Sequence, residues 1–373
     1  MCRGRPALAP AGAGFFCSPV LALIREWGVP LPNITELLAT RPWLLADGAT
    51  GTNYFDMGLQ SGDAPEMWNA DHVDRVASLH RRFIEAGADI ILTNSFGGSR
   101  YRLKLHRMEN RVVELNRAAA EIAREEAERV GRPVVVAGSI GPTGEILEPV
   151  GALSVELATE AFTEQAMALA DGGADVIWLE TLSSKEEMRA AGTAAAATGL
   201  PVIATMTFDT NGSTMMGVSP VELVDLYRET VPRLAAFGAN CGIGAADLIG
   251  ALLAMSQQLT DDDRLVAKSN CGIPAFVDGQ IHYSGTPELM SRYVELALDS
   301  GARIIGGCCG TTPEHLAAMR QALESHSKRG APDLDAVVEL LGPVTAGTRA
   351  CCDGMHARPK AVRKRRSRRR RDA

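Results

Sequence analysis

The chain has 373 residues, 46% apolar and 5% aromatic, enough to bury one large core or two smaller ones. Eight cysteines are too sparse for a disulfide scaffold, and no apolar run approaches the length of a membrane span. The formal charge of −7 divides unevenly: ten Lys/Arg and one acid lie from Arg358 onward, leaving 28 basic against 44 acidic residues, net −16, in 1–357. An acidic body of this kind excludes a dedicated nucleic-acid binder.

Residues 1–38 read as an irregular extension, with Pro6, Pro10, Pro19, Pro30 and Pro32. Arg3 and Arg5 ahead of the apolar stretch 11–23 faintly suggest a secretion signal, but Pro19 and the lack of an Ala-x-Ala site argue against one. A regular rhythm then begins. Leu44-Leu45-Ala46-Asp47-Gly48 is a short strand, and Val73, Val76, Leu79, Phe83 and Ala86 repeat at helical spacing until Gly87. Strand 89–94, helix 110–129, strand 133–139 and helix 153–171 follow. Strand 175–180, helix 184–197, strand 201–206 and helix 219–233 come next. The strand into Cys241 and helix 244–257 lead to strand 264–270 and helix 287–300. The last pair is the strand into Cys308 and helix 313–325, with Thr312 suited to the N-cap and Pro313 to the first helical position. Residues 328–373 read as a disordered extension ending in a basic tail, a solvated appendage with at most an accessory contact to RNA or an anionic surface.

Eight strand-plus-helix units in about 280 residues, with continuously apolar strands, fit a single α/β TIM (β/α)8 barrel over 39–327. A doubly wound sheet is the competitor, but it would not place special residues at nearly every strand end. Asp47, Asn94, Ser139, Glu180, Cys241, Asn270 and Cys308 all fall there, and in a barrel those ends ring one mouth. Cys241 would then meet Cys308 and Cys309 across the seam between strands six and eight. Three thiolates with a fourth position open are the ligand set of a catalytic zinc, whereas each cysteine alone could be a buried apolar residue or part of a redox pair. Cys271 is the rival ligand and His315 a more distant one.

Asp47 and Glu180 could hold an ammonium group, although Asp47-Gly48 is also ordinary turn chemistry. Gly138-Ser139-Ile140-Gly141-Pro142-Thr143-Gly144-Glu145 lacks a phosphate-loop lysine; it either receives a carboxylate on its N–H groups or is a plain tight loop. Trp68 is either a packing residue or an aromatic face for a cationic methyl donor.

Taken in order, Asp-Gly-Ala-Thr-Gly-Thr, Thr-Asn-Ser-Phe-Gly-Gly, Gly-Ser-Ile-Gly-Pro-Thr-Gly-Glu, Glu-Thr-Leu, Gly-Ala-Asn-Cys-Gly and Gly-Gly-Cys-Cys-Gly-Thr-Thr-Pro resemble the homocysteine S-methyltransferase family over about 40–325. Thiolate ligands need a reducing compartment, which points to the cytoplasm. The resemblance implies an enzyme with Zn2+ on Cys241, Cys308 and Cys309, and the homocysteine amino group on Asp47 and Glu180. Gly138 and Ser139 would help receive its carboxylate, with Asn94 also at the substrate site and Trp68 at the donor. The product would be methionine. The donor would be glycine betaine, with S-methylmethionine, or a methylcorrinoid held by a separate protein, as alternatives; no Asp-x-His-x-x-Gly cobalamin signature is present. A homo-oligomer is left open.

Overall fold

The computed structural model describes residues 33–277 and 280–354, with the backbone alone for 274–282. Eight parallel strands form the barrel: β1 Leu44–Leu45, β2 Ile90–Leu92, β3 Val135–Ile140, β4 Val176–Leu182, β5 Val202–Met206, β6 Leu234–Cys241, β7 Leu265–Ser269 and β8 Ala302–Gly307. Each of β2 to β7 pairs with the next, and β8 also pairs with β1. The parallel bridge from Ala46 to Ile90 closes the ring. This is the expected TIM barrel, a strand with a helix behind it repeated eight times.

Burial on both faces explains why the strands read as unbroken apolar runs. Leu44, Ile90, Val135, Val176, Trp178, Ile203, Val266 and Ile304 fill the interior, while Leu45, Ile91, Val136, Ile177, Val202, Phe237 and Ile305 meet the helices outside. The echo at the helix-to-strand junctions also has a cause. Gly87, Gly173 and Gly301 lie at φ of +106°, +101° and +96°, ending their helices in the left-handed conformation that favours glycine. Asp89 and Asp175 then accept the backbone N–H of Leu45 and Val136, tying neighbouring strand starts together.

Both proposed extensions need correction. The helix Ile34–Thr40 belongs to the fold: Asn33 caps it, and Ile34 and Leu38, one turn apart, plug the floor of the barrel. At the other end, helices Leu334–Leu341 and Ala346–Cys352 pack on the helix Ala245–Ser256, which is buried almost all round and needs that cover. Asp247 accepts hydrogen bonds from the Thr345 N–H and from the hydroxyls of Thr345 and Thr348. The remaining extension residues, 1–32 and 355–373 with the basic tail, lie outside the described residues. A two-stranded antiparallel hairpin, Pro274–Val277 with Gln280–Tyr283, interrupts the connection after β7. Among the described residues no helix is long and apolar enough to cross a membrane.

Candidate active site

The turns after β6 and β8 carry the sulfurs. Cys241 closes β6 at φ +59°, a conformation uncommon for a side-chain-bearing residue and seen again at Thr181, φ +63°. Asn240 holds the two strained ends together, accepting from the Thr181 N–H at 2.9 Å and donating to its hydroxyl at 2.7 Å. Asn270 does the same for the sulfur turns: it accepts from the Cys309 N–H at 3.1 Å and donates to the Gly242 carbonyl at 2.7 Å. The result brings Cys241 Sγ to 3.1 Å from Cys308 Sγ and 3.7 Å from Cys309 Sγ, with all three sulfurs within 4.8 Å of one another. A tetrahedral ion with Zn–S bonds of about 2.3 Å would space its sulfurs about 3.8 Å apart, so this trio could hold a metal once Cys241 and Cys308 separate by about 0.7 Å. Three thiols this crowded cannot all ionise without a cation. Hydrogen bonds from Cys241 and Cys308 hold the Cys309 thiol far below its usual range, and its part in the same contacts pushes the Cys241 thiol up.

Neither rival ligand joins the cluster. Cys271 is buried with its sulfur against Gly285, and His315 is engaged at both nitrogens, accepting from the Thr312 N–H and contacting the Gly285 carbonyl.

The sulfurs open onto a cavity of about 450 Å³ whose inner end is also lined by Glu180, Ser139 and Lys268. Glu180 is buried at the end of β4 and accepts the Ser139 hydroxyl at 2.5 Å. Burial pushes its carboxyl up to about 7, with Lys268 opposing and the Cys308 charge adding to the rise. Lys268, next to last in the strand Leu265–Ser269, donates to the Gly48 carbonyl at 3.1 Å and stands 3.3 Å from Asp47 Oδ1. Burial alone would lower its pKa, but the charges of Asp47, Cys308 and Glu180 win and raise it. Asp47 itself does not line the cavity: Oδ2 accepts the Leu92 N–H at 2.7 Å and Oδ1 faces Lys268.

The other expected substrate groups are placed less directly. Gly138 faces the helix Val155–Asp171, and the Ser139 N–H is spent on Thr93 Oγ1. Within the loop that follows, Gly141 donates to Phe96 and Thr143 to Glu187, so these N–H groups are not free for a carboxylate. Asn94 borders the cavity, but both amide hydrogens go to the loop after β1, at Pro65 and Asn69. Trp68 is buried outside it, with the Tyr54 ring 5.0 Å away and the Arg75 guanidinium over its face. The structure thus makes Trp68 a packing residue. The rest of the cavity wall includes Phe55, Phe96, Glu66, Arg102 and His106 instead, with Tyr283 beside the Cys309 thiol.

The homocysteine S-methyltransferase profile matches residues 44–323, three quarters of the chain and every strand of the barrel. The chain belongs to the homocysteine S-methyltransferase family. It is 29% identical over 309 residues to the methionine synthase of Mycobacterium leprae (strain TN) and 30% to that of Mycobacterium tuberculosis (strain ATCC 25618 / H37Rv). Each match covers 78% of this chain and only 25% of the methionine synthase, so the chain spans about a quarter of those relatives' length. The oxidized form of the homocysteine methyltransferase MmuM from Escherichia coli superposes with a TM-score of 0.65 at 26% identity, covering 78% of this chain and 99% of that one. Its metallated form gives 0.64 at the same identity, with 77% and 98% covered.

Within this family barrel, the residues that motif reading passed over are Lys268, Asn240, Asn270 as a tie, and Glu66. A lysine inside Leu265-Val266-Ala267-Lys268-Ser269 was the available signal, because a charged group in a buried strand needs a partner or a ligand. Glu66 offered no such cue, since its loop is polar in sequence and buried only in space.

Proposed function

We propose that the protein is a zinc-dependent homocysteine S-methyltransferase that makes methionine with a small cationic methyl donor, glycine betaine first. The supporting observation is a sulfur trio sharing one cavity with a carboxylate and an ammonium of matching size for an amino acid's head. Cys241, Cys308 and Cys309 would hold the metal. Bound zinc would offer a fourth position to a thiol and favour its ionised form, which an ordinary thiol with a pKa of ~8.5 reaches only in part at neutral pH.

Around it the chain's own groups place the substrate. The free oxygen of Glu180 takes the homocysteine ammonium, while Ser139 fixes the other. Lys268 has three N–H groups: one goes to the Gly48 carbonyl, Asp47 Oδ1 stands 3.3 Å away as its ion-pair partner, and a donor is left for the substrate carboxylate. Asp47 acts through Lys268 as a positioning residue. The homocysteine sulfur attacks the donor methyl in line; the S–C bond forms as the C–N bond breaks, and the electron pair leaves on dimethylglycine. Thiolate ligands require a reducing compartment, the cytoplasm.

A donor panel on purified, zinc-loaded protein tests this: methionine from glycine betaine without any partner supports it, and no methionine from any small donor refutes it. The partial overlap with methionine synthases favours one second reading, a subunit that activates homocysteine for a separate methylcorrinoid protein. Methionine formed without such a protein removes that reading. Cys241→Ser and Cys308→Ser should each lose stoichiometric metal, measured by elemental analysis, together with activity; full activity in a metal-free variant overturns the mechanism.

A further inference from the structure

A second pocket lies on the floor of the barrel, at the end of the strands away from the sulfurs. It measures about 570 Å³ and sits where the chain enters β1, β2 and β3, against the end of the helix Val73–Glu85. Asp89 is buried in its wall, with a side chain 3% exposed, and three arginines converge on that one carboxylate. Arg41 Nη1 donates to Oδ1 at 2.9 Å, Arg320 Nη1 donates to Oδ2 at 3.1 Å, and Arg132 Nη1 stands 3.7 Å from Oδ1. The Leu45 N–H takes Oδ2 as well, so the carboxylate has nothing more to offer. The corresponding junction before β4 shows how little such a tie requires. There Arg124 alone pairs with Asp175, and both side chains are closed off from solvent. The three guanidiniums at Asp89 are instead 30% to 37% exposed and line open space.

Only two carboxylates touch these three cations: Asp89, and Glu324, which accepts from Arg320 Nε at 2.7 Å. Glu85 borders the rim, exposed, and makes no ion pair among the described residues. Arg41 keeps Nε and Nη2, and Arg132 keeps Nε and Nη1, without a hydrogen-bond acceptor among the described residues. Both neighbours of Arg41 are held in place. Arg132 donates through Nη2 to the carbonyls of Ile84 and Ala88, and Arg320 lies over the Trp43 ring, 4.9 Å from its centre. Burial lowers the Arg132 pKa; Asp89 opposes that fall, and the charges of Arg320 and Arg41 add to it.

We propose that this floor pocket binds a phosphate group, free or in a small ester, between Arg41, Arg132 and Arg320. A guanidinium fork grips two oxygens at once, and a tetrahedral phosphate has oxygens for more than one fork, whereas a planar carboxylate is used up by one. Pro42, Trp43 and Ile84 add an apolar wall for the organic part of an ester, in a space large enough for a small molecule. The bound anion would join residues ahead of β1 and β3 to the helix Pro313–Ser325. It would thus brace the seam where β1 meets β2 through the isolated bridge from Ala46 to Ile90. That suits a face of the barrel that serves stability, while chemistry occupies the other.

The test is calorimetric titration of the full chain in phosphate-free buffer at physiological salt, with inorganic phosphate, phenyl phosphate and acetate as probes. Wild type should bind phosphate at one site per chain, and acetate at least tenfold more weakly. Phenyl phosphate binding tenfold or more tightly than phosphate identifies an ester as the ligand; equal affinities identify the free ion. Arg41→Met and Arg132→Met should each weaken phosphate at least tenfold and abolish the rise in Tm that it gives wild type. Circular dichroism checks that each variant is folded. Should Arg132→Met fail, Arg41→Met still decides, because Arg41 makes one hydrogen bond in the pocket and Asp89 keeps Arg320 without it. The basic tail and Arg102 are intact in both variants, so undiminished phosphate binding there belongs elsewhere and overturns the proposal. Wild type that binds no phosphate, or binds acetate as tightly, overturns it too.

Discussion

Replacing Glu180 by glutamine should make the protein more stable and worse at binding homocysteine. The carboxyl is buried and titrates near 7 in the metal-free fold, against 4.5 for an exposed glutamate. A folded-state pKa above the unfolded one means that the folded form holds the proton more tightly. Stability is therefore fully present below about pH 4.5 and is lost as pH rises through 7. Integrated between pH 5 and 8.5, this single group costs about 2.5 kcal/mol at ~1.36 kcal/mol per pH unit. Glutamine has the same shape, still accepts the Ser139 hydroxyl and carries no such cost. Urea unfolding of metal-free wild type and Glu180→Gln at pH 5 and 8.5 isolates the effect. The variant's lead over wild type should grow by about 2.5 kcal/mol between pH 5 and pH 8.5. Homocysteine KM should rise roughly ten- to a hundredfold, the range for losing a charged hydrogen bond. A variant no more stable than wild type at pH 8.5 would refute the claim that Glu180 is an ionisable group held in an unfavourable setting for the substrate's sake.

Lys268→Met should keep stoichiometric metal but raise homocysteine KM tenfold or more, and it should lose about 3 to 5 kcal/mol of stability at neutral pH because Asp47 is left buried without its cation. Since burial already raises Asp47, that loss should shrink toward pH 4 as the carboxyl protonates; a pH-independent loss would show that the pair is not ionic. Asp247→Ala removes the acceptor for three hydrogen bonds that seat the helix Ala346–Cys352, and should cost about 2 to 3 kcal/mol in urea unfolding with homocysteine binding intact. Rapid hydrogen exchange confined to 334–352 in that variant would show the seat is local; unchanged exchange there would show that Asp247 does not hold it.

The barrel was legible because its strands are unbroken apolar runs that each stop at a polar residue, and because left-handed glycines punctuate the helix ends. The sulfur trio was legible for the same reason, since strand ends in a barrel converge. What sequence could not convey were pairings set only by closure. Lys268 meets Asp47 and Gly48 across some 220 residues, and no local pattern announces it. Trp68 drew attention as an aromatic near the donor, but ring chemistry says nothing about which side of a loop faces water; Arg75 and Tyr54 already occupy its surroundings. The plug helix was hidden behind Pro30 and Pro32, with one apolar pair to betray it. The two C-terminal helices were hidden because their signal lies in another element, the helix Ala245–Ser256, which is too apolar to face solvent.

Ile34 and Leu38 seal the barrel from below, and with the packed strand interior above them they leave the cavity at the strand ends a blind alley. Two reactants that must lie one behind the other in such an alley have to queue. Under the proposed activity the amino acid would enter first, the donor would follow, the demethylated donor would back out, and methionine would depart last. Kinetics should accordingly be compulsory-ordered, with surplus donor inhibiting by trapping methionine inside.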